Sequence, residues 1–306
     1  MTLRPVGAVA VPPGARPGFD HADTYLSAQE SRMYVAHTGA DRIDVFDCTR
    51  RAYLHALSVH PGVAGVLIDS QRDVLLATDR GAARLSIYRA SDEALLGQVA
   101  VGQRPNGVAL DAHQMRAFTF DLGDPPGVGC TMTIVDLARH TVVAQRKLPG
   151  RPRWAAYDDA SRRVYANISE PSTIIVVDPV TAAITESIPV PTAGPHGLAL
   201  IDGLLFCAAD GGELLVLETS GTIRARLPLA GVPDVVMYDR DLARAYVAIG
   251  SPGVVEAFDT KLLRSLETVE TEEGAHTIGW DPQRKELWAF APRSSAALVF
   301  ADVRSP

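Results

Sequence analysis

An all-β fold, a seven-bladed β-propeller of four-stranded antiparallel blades, is what this sequence predicts, and three observations predict it. The first is a repeat. The segment Arg104-Pro-Asn-Gly-Val-Ala-Leu-Asp111 ends on a residue with counterparts at Ser27, Asp69, Asp158, Ile201, Asp239 and Asp281, and the seven anchors are spaced by 42, 42, 47, 43, 38 and 42 residues. Such a period belongs to propeller blades or to helical repeats. The second is a large apolar residue seven positions past most anchors, Tyr34, Leu76, Phe118, Tyr165, Tyr246 and Trp288, with Phe206 slightly early in the fifth copy. The third is an alternating strand ending 20 residues past five of the seven anchors, as in Ile174-Ile-Val-Val-Asp178. Short Val, Ile and Tyr-rich runs punctuated by Gly, Pro, Asp and Ser are strand and turn chemistry, and helical spacing is sustained nowhere.

Each unit therefore reads as strand A ending at the anchor, B around the large apolar residue, C ending near the twentieth position, and D before the next Gly/Pro turn. Residues 5–11 belong to no repeat of their own, and the seventh unit supplies only three strands, so the N-terminal segment is expected to complete the last blade. Closing the ring with both termini hides sheet edges that would otherwise pair with other chains. The third unit carries the longest insertion, residues 121–129, between B and C; the fifth is clipped between A and B. Asp47, Asp136, Asp178 and Asp259 recur at the ends of C strands, where aspartate forms turns. Residues 1–306 thus form one domain, which overrides the two domains that length alone would suggest.

Apolar residues make up 47% of the chain, ample for a core. The net charge of −7 is spread and not gathered in blocks, and no basic stripe is present, so nucleic acid is not the expected partner. Cys48, Cys130 and Cys207 fall in alternate units, too far apart to bridge, and free thiols point to a reducing compartment. The N-terminal apolar run is short and cut by proline and glycine, too weak for a secretory signal. No stretch approaches eighteen uninterrupted apolar residues, so no membrane span is expected. A cytoplasmic protein is the expectation.

Val99-Ala-Val-Gly102 running into Arg104-Pro-Asn-Gly107, with Tyr34-Val-Ala-His37, Tyr165-Ala-Asn167 and Tyr246-Val-Ala248 in B strands, resembles the YVTN-repeat, YncE-like propellers over essentially the whole chain. The resemblance implies the fold. It leaves function open, because similar propellers include binding proteins, lactonase-like enzymes and lyases. In propellers the A strands line a central channel, and the D-to-A and B-to-C loops share one face.

Register then selects candidates. Five residues before each anchor stand Ala22, Ala64, Asn106, Arg153, His196, Asp234 and His276, where side chains should meet the channel mouth. Units five to seven present His196, Asp234 and His276 in succession, and His21 or Asp23 of unit one stands near enough in register to join them. Imidazoles and carboxylates from adjacent blades are a divalent-metal ligand set, and an open position on such an ion would serve a lyase or hydrolase. Without metal, the same residues are a general acid/base set or a ligand-binding set; structurally, polar side chains also gather at any channel mouth. On the other side, Arg153, Asn106 and Trp154 offer a bidentate cation, an amide and a stacking face. The expected ligand is a small polar or anionic molecule, and a protein partner on the same face is the non-catalytic alternative.

Overall fold

A computed structural model of the chain describes residues 3–303. Seven four-stranded antiparallel sheets stand in a ring, each in sequence order from the inner strand outward, and the only exception closes the circle. In blade 7 the strands Thr277–Asp281, Glu286–Ala291 and Ala296–Asp302 are completed by the N-terminal strand Leu3–Ala10, which pairs antiparallel with Ala296–Asp302. The expected closure is therefore observed, two residues earlier than the repeat suggests at its start. Leu3 is buried, and its backbone N–H donates to the Glu267 carboxylate at 3.0 Å, tying the strand to blade 6.

The inner A strands are Ala22–Leu26, Val63–Asp69, Pro105–Asp111, Pro152–Asp158, Pro195–Ile201, Val232–Asp239 and Thr277–Asp281. Six of them end on the sequence anchors, and the first ends one residue before Ser27. The large residues of the B strands, Tyr34, Leu76, Phe118, Tyr165, Phe206, Tyr246 and Trp288, are all buried. They enter seven apolar clusters, each drawn mainly from two neighbouring blades. The core of this molecule is thus divided among the blade interfaces, which is how a ring of small sheets removes apolar surface from water. The aspartates at C-strand ends form the expected turns; Asp178 Oδ1, for example, accepts from the backbone N–H groups of Val180 and Thr181 at 2.8 and 3.0 Å.

Close approach of the A strands fixes what reaches the channel. Gly65, Gly107 and Gly197 each face the backbone carbonyl of the next blade, those of Asn106, Arg153 and Asp234, and a β-carbon on any of the three would lie closer than 3 Å to it. Only glycine allows this spacing, and the residues whose carbonyls are approached are three of the register positions. All three cysteines are buried and unpaired. Among the described residues no helix is long and apolar enough to cross a membrane.

Candidate functional site

The mouth of the channel on the D-to-A and B-to-C side is a pocket of about 170 Å³, lined by Asp20, His21, Arg80, Arg104, Asn106, Leu122, Pro126, Arg151, Arg153, Trp154, His196 and Asp234. Register places Asn106, Arg153, His196 and Asp234 there as expected, with His21 and Trp154 beside them. Trp154 forms the floor. Its indole stacks on the His21 ring from the far side of the channel, with centroids 3.8 Å apart and planes at 19°, and its Nε1–H donates to Asp234 Oδ1 at 3.1 Å. Burial pushes the His21 imidazole below its ordinary pKa, so it stacks as a neutral ring.

His196 is held between two carboxylates. Its Nδ1 lies 2.8 Å from Asp210 Oδ1, and its Nε2 lies 3.3 Å from Asp234 Oδ1 and 3.1 Å from the Arg153 guanidinium. Burial opposes charge on this ring, but Asp234 and Asp210 outweigh it and push the pKa up to about 9. Asp234 shows the other side of the same interaction: burial works against its charge, and His196 nonetheless holds it below the usual carboxylate range. His196 is accordingly an imidazolium at neutral pH, and its contact with Arg153 is a cation against a cation rather than a hydrogen bond. Burial and the adjacent Arg151 guanidinium likewise work against the charge of Arg153.

Three arginines that register did not single out complete the pocket. Arg80 lies in the B-to-C turn of blade 2 and donates to Asp20 Oδ2 at 2.7 Å and to the Asn106 side-chain oxygen. Arg104 and Arg151 sit in the loops that lead into the A strands of blades 3 and 4, two residues before Asn106 and Arg153. Two residues before the register position stand Asp20, Arg104 and Arg151, so the register rule applied one step earlier names all three, although Arg104 has a φ of 56° and is not extended backbone. Neither Arg104 nor Arg151 has a side-chain hydrogen bond or ion pair among the described residues, and the Nε atoms of Arg80, Arg104, Arg151 and Arg153 are all buried without a partner.

Two sequence candidates lie elsewhere. Asp23 is one layer down the channel, on the far side of the His21 and Trp154 stack; its carboxylate accepts from the backbone N–H groups of Thr24 and Ile68 at 2.8 and 2.7 Å, and it lines the opposite mouth. His276 borders a side pocket between blades 7 and 1. Its Nδ1 and Nε2 face the carbonyl oxygens of Gly274 and Phe19 at 2.9 and 3.0 Å, and its Nε2 is 3.9 Å from Asp234 Oδ2. The five residues expected as metal ligands are not brought together as one set in this structure. A ligating imidazole needs a free lone pair; both His196 nitrogens face carboxylates, and His276 sits in a separate pocket with its nitrogens beside the Gly274 and Phe19 carbonyl oxygens, to only one of which a neutral ring can donate. Among the described residues no three His, Cys, Asp or Glu side chains converge in a way that would hold an ion.

No protein-family model and no curated protein matches the sequence. Solved structures do match in fold. The chain is similar to a chain of Kuenenia stuttgartiensis hydrazine synthase, with a TM-score of 0.81 at 13% identity over 96% of this chain and 97% of that one. It is equally similar to a chain of a mitotic checkpoint complex, with a TM-score of 0.81 at 11% identity over 98% of this chain and 92% of that one. At such identities the likeness is one of fold: the same ring serves an enzyme assembly in one case and a regulatory complex in the other.

Proposed function

We propose that this propeller binds a small anionic molecule at the channel mouth formed by blades 1 to 6. One observation carries the reading: four arginines converge on one small pocket, and two of them, Arg104 and Arg151, have no side-chain hydrogen bond or carboxylate partner among the described residues. A half-buried guanidinium without an acceptor is costly, and a carboxylate or phosphate in the pocket supplies charge-assisted acceptors to the donors that line it. The pocket is well below the roughly 300–1,000 Å³ of sites for larger organic ligands. This favours a compact metabolite over a nucleotide or a peptide. The overall acidity of the chain makes the mouth a local positive feature. Calorimetric titration of small carboxylates and inorganic phosphate into parent and Arg153→Ala protein tests it: parent binding weakened about tenfold in the variant is expected, and equal affinities would remove Arg153 from the site.

Catalysis is a second reading, favoured by the His196 imidazolium set beside the arginines. A protonated ring at an anion site is placed to give its proton to a departing oxygen, the acid step of a lyase or hydrolase. Turnover of a bound ligand by the parent and its loss in His196→Gln would support it; binding without turnover in both leaves the binding protein. The YVTN-repeat resemblance agrees with either reading, and the three buried free thiols favour a reducing, cytoplasmic setting. A divalent ion has the weakest support, since both nitrogens of His196 face carboxylates and His276 lies in a different pocket. Elemental analysis of protein purified without an affinity tag tests that alternative directly.

A further inference from the structure

We infer that the ligand of the channel mouth is a compact hydroxy acid carrying two or three negative charges, gripped by an arginine arc on blades 2, 3 and 4 with its hydroxyl turned to Asp234. The inference rests on the anion-binding reading above and specifies it. Charge sets the first limit. Four guanidinium groups and the His196 imidazolium share the pocket with the carboxylates of Asp20, bound to Arg80, and Asp234, beside His196, five positive charges against two, which leaves three in excess; Asp210 behind His196 lowers this to two. A monoanion leaves one or two positive charges uncompensated in a half-buried space, whereas a dianion, or a trianion if Asp210 is left out of the count, cancels them.

Distribution sets the second limit. The cations are not scattered around the mouth. Arg80 comes from blade 2, Arg104 from the entry to blade 3, and Arg151 with Arg153 from blade 4, so the unpartnered donors span three adjacent blades. Two anionic groups on one molecule can meet this arc at separate points, while one group cannot reach all of it. Volume sets the third limit: about 170 Å³ is the space of between five and six waters at roughly 30 Å³ each, enough for a short-chain acid.

The wall opposite the arc is acidic and asks for a donor. Asp234 Oδ1 already accepts from Trp154 Nε1–H and faces His196, but its Oδ2 is 3.9 Å from His276 Nε2, outside hydrogen-bond reach. A ligand hydroxyl between the arc and this oxygen gives Asp234 the hydrogen bond it lacks. An anionic group placed there would be repelled, so the same wall fixes the direction of binding.

Calorimetry on the full chain with acetate, succinate, malate and inorganic phosphate tests the inference. Succinate is expected to bind at least about tenfold tighter than acetate, and malate, which adds only a hydroxyl, tighter again by about threefold or more. In Arg104→Ala, or in Arg104→Lys should the first variant fold poorly, the advantage of malate over acetate should shrink about tenfold. In Asp234→Asn, malate should lose its advantage over succinate. Acetate or phosphate binding as tightly as malate would overturn the inference and leave the simple anion site standing. Failure of all four ligands to bind would remove the anion site itself.

Discussion

The two mouths of the channel are built from the two ends of the same seven A strands, and they differ in almost every property. At the upper mouth, where the strands begin, the walls are arginine, aspartate and histidine around about 170 Å³, and four guanidinium groups keep a buried donor without an acceptor. At the lower mouth, where the strands end, a wider hollow of about 770 Å³ is lined by Leu26, Leu67, Leu110, Ala155 and Ala156 together with Asp23, Asp69 and Asp159. The lower carboxylates are engaged. Asp69 accepts from the backbone N–H groups of Gln71 and Arg72, and from the Arg72 side chain at 2.9 Å; Asp23 accepts from two backbone N–H groups; Asp159 stands 3.5 Å from His113. Asp69 at its strand end turns the chain, so its carboxylate is spent on the fold. At the strand starts the side chains of Arg104 and Arg151 have no hydrogen-bond partner among the described residues.

The partition between the mouths is the stack of His21 on Trp154, and removing it should have the largest effect. Trp154→Ala deletes an indole that packs against apolar clusters on both sides, leaves His21 without its stacking partner and takes a donor from Asp234. A loss of about 4 kcal/mol in unfolding free energy is expected from truncating so large a side chain, together with weaker anion binding because the floor is gone. Denaturant unfolding measures the first part. A variant as stable as the parent would show that the stack does not divide the channel in any energetic sense.

One buried group at each mouth should titrate in its own window. In the acidic range this is superposed on the opposite trend from His21, whose lowered pKa makes stability rise with pH below 6.5. Burial pushes the Asp23 carboxyl at the lower mouth from its ordinary value of 3.8 up to about 6. His196 at the upper mouth is pushed from 6.5 to about 9. In both, the folded state holds the proton more tightly than the unfolded chain, so the stabilisation is complete below the unfolded value and is lost as pH rises through the folded one. Asp23 should therefore withdraw stability between about pH 4 and 6, and His196 between about pH 6.5 and 9, each on the order of 3 kcal/mol at most. The favourable interaction of His196 with Asp234 is one interaction seen from two groups and is counted once. Unfolding measured across pH 4 to 10 for the parent and His196→Gln checks this: the variant should lose the upper decline and keep the lower one. An unchanged upper decline would mean that some other group titrates there.

How far the sequence foretells these properties follows the same division. A repeat is legible because every blade solves one packing problem, so the anchors, the buried B-strand residues and even the closing N-terminal strand can be counted off. Register is legible too, and it brings Asn106, Arg153, His196 and Asp234 to one pocket. What stays hidden depends on contacts between blades. Arg80 reaches the mouth from the B-to-C turn, 11 residues past its anchor as Thr38 is in blade 1, a position that a register counted along the A strands alone does not score. The pairing of His21 with Trp154 joins residues 133 positions apart across the ring. His276 has the expected register, yet two carbonyls, those of Gly274 and Phe19, capture its ring and turn it out of the pocket. Asp23 differs from His21 by only two positions, and that rise along the strand carries it past the floor.

The smallest effect is the sharpest test of the contrast, because it compares one residue type at both mouths. Arg72 at the lower mouth donates to Asp69 Oδ2 at 2.9 Å and to the Ala112 carbonyl at 2.7 Å, on an exposed turn. Arg104 at the upper mouth has no such partners, and its Nε is buried unpaired. Arg72→Ala should cost about 0.5 kcal/mol or less, the usual worth of an exposed ion pair, and should leave anion affinity unchanged. Arg104→Ala breaks no pair and removes one member of a crowded set of like charges, so stability should hold steady or rise by a few tenths of a kcal/mol, within the range of a surface substitution. Its anion affinity should nevertheless fall about tenfold. Thermal unfolding and calorimetry on the two variants separate the cases: a residue that serves the fold moves the first measurement, and one kept for a ligand moves the second. Equal behaviour of Arg72→Ala and Arg104→Ala in both measurements would mean that the unpartnered arginines of the upper mouth are no different from an ordinary solvated pair.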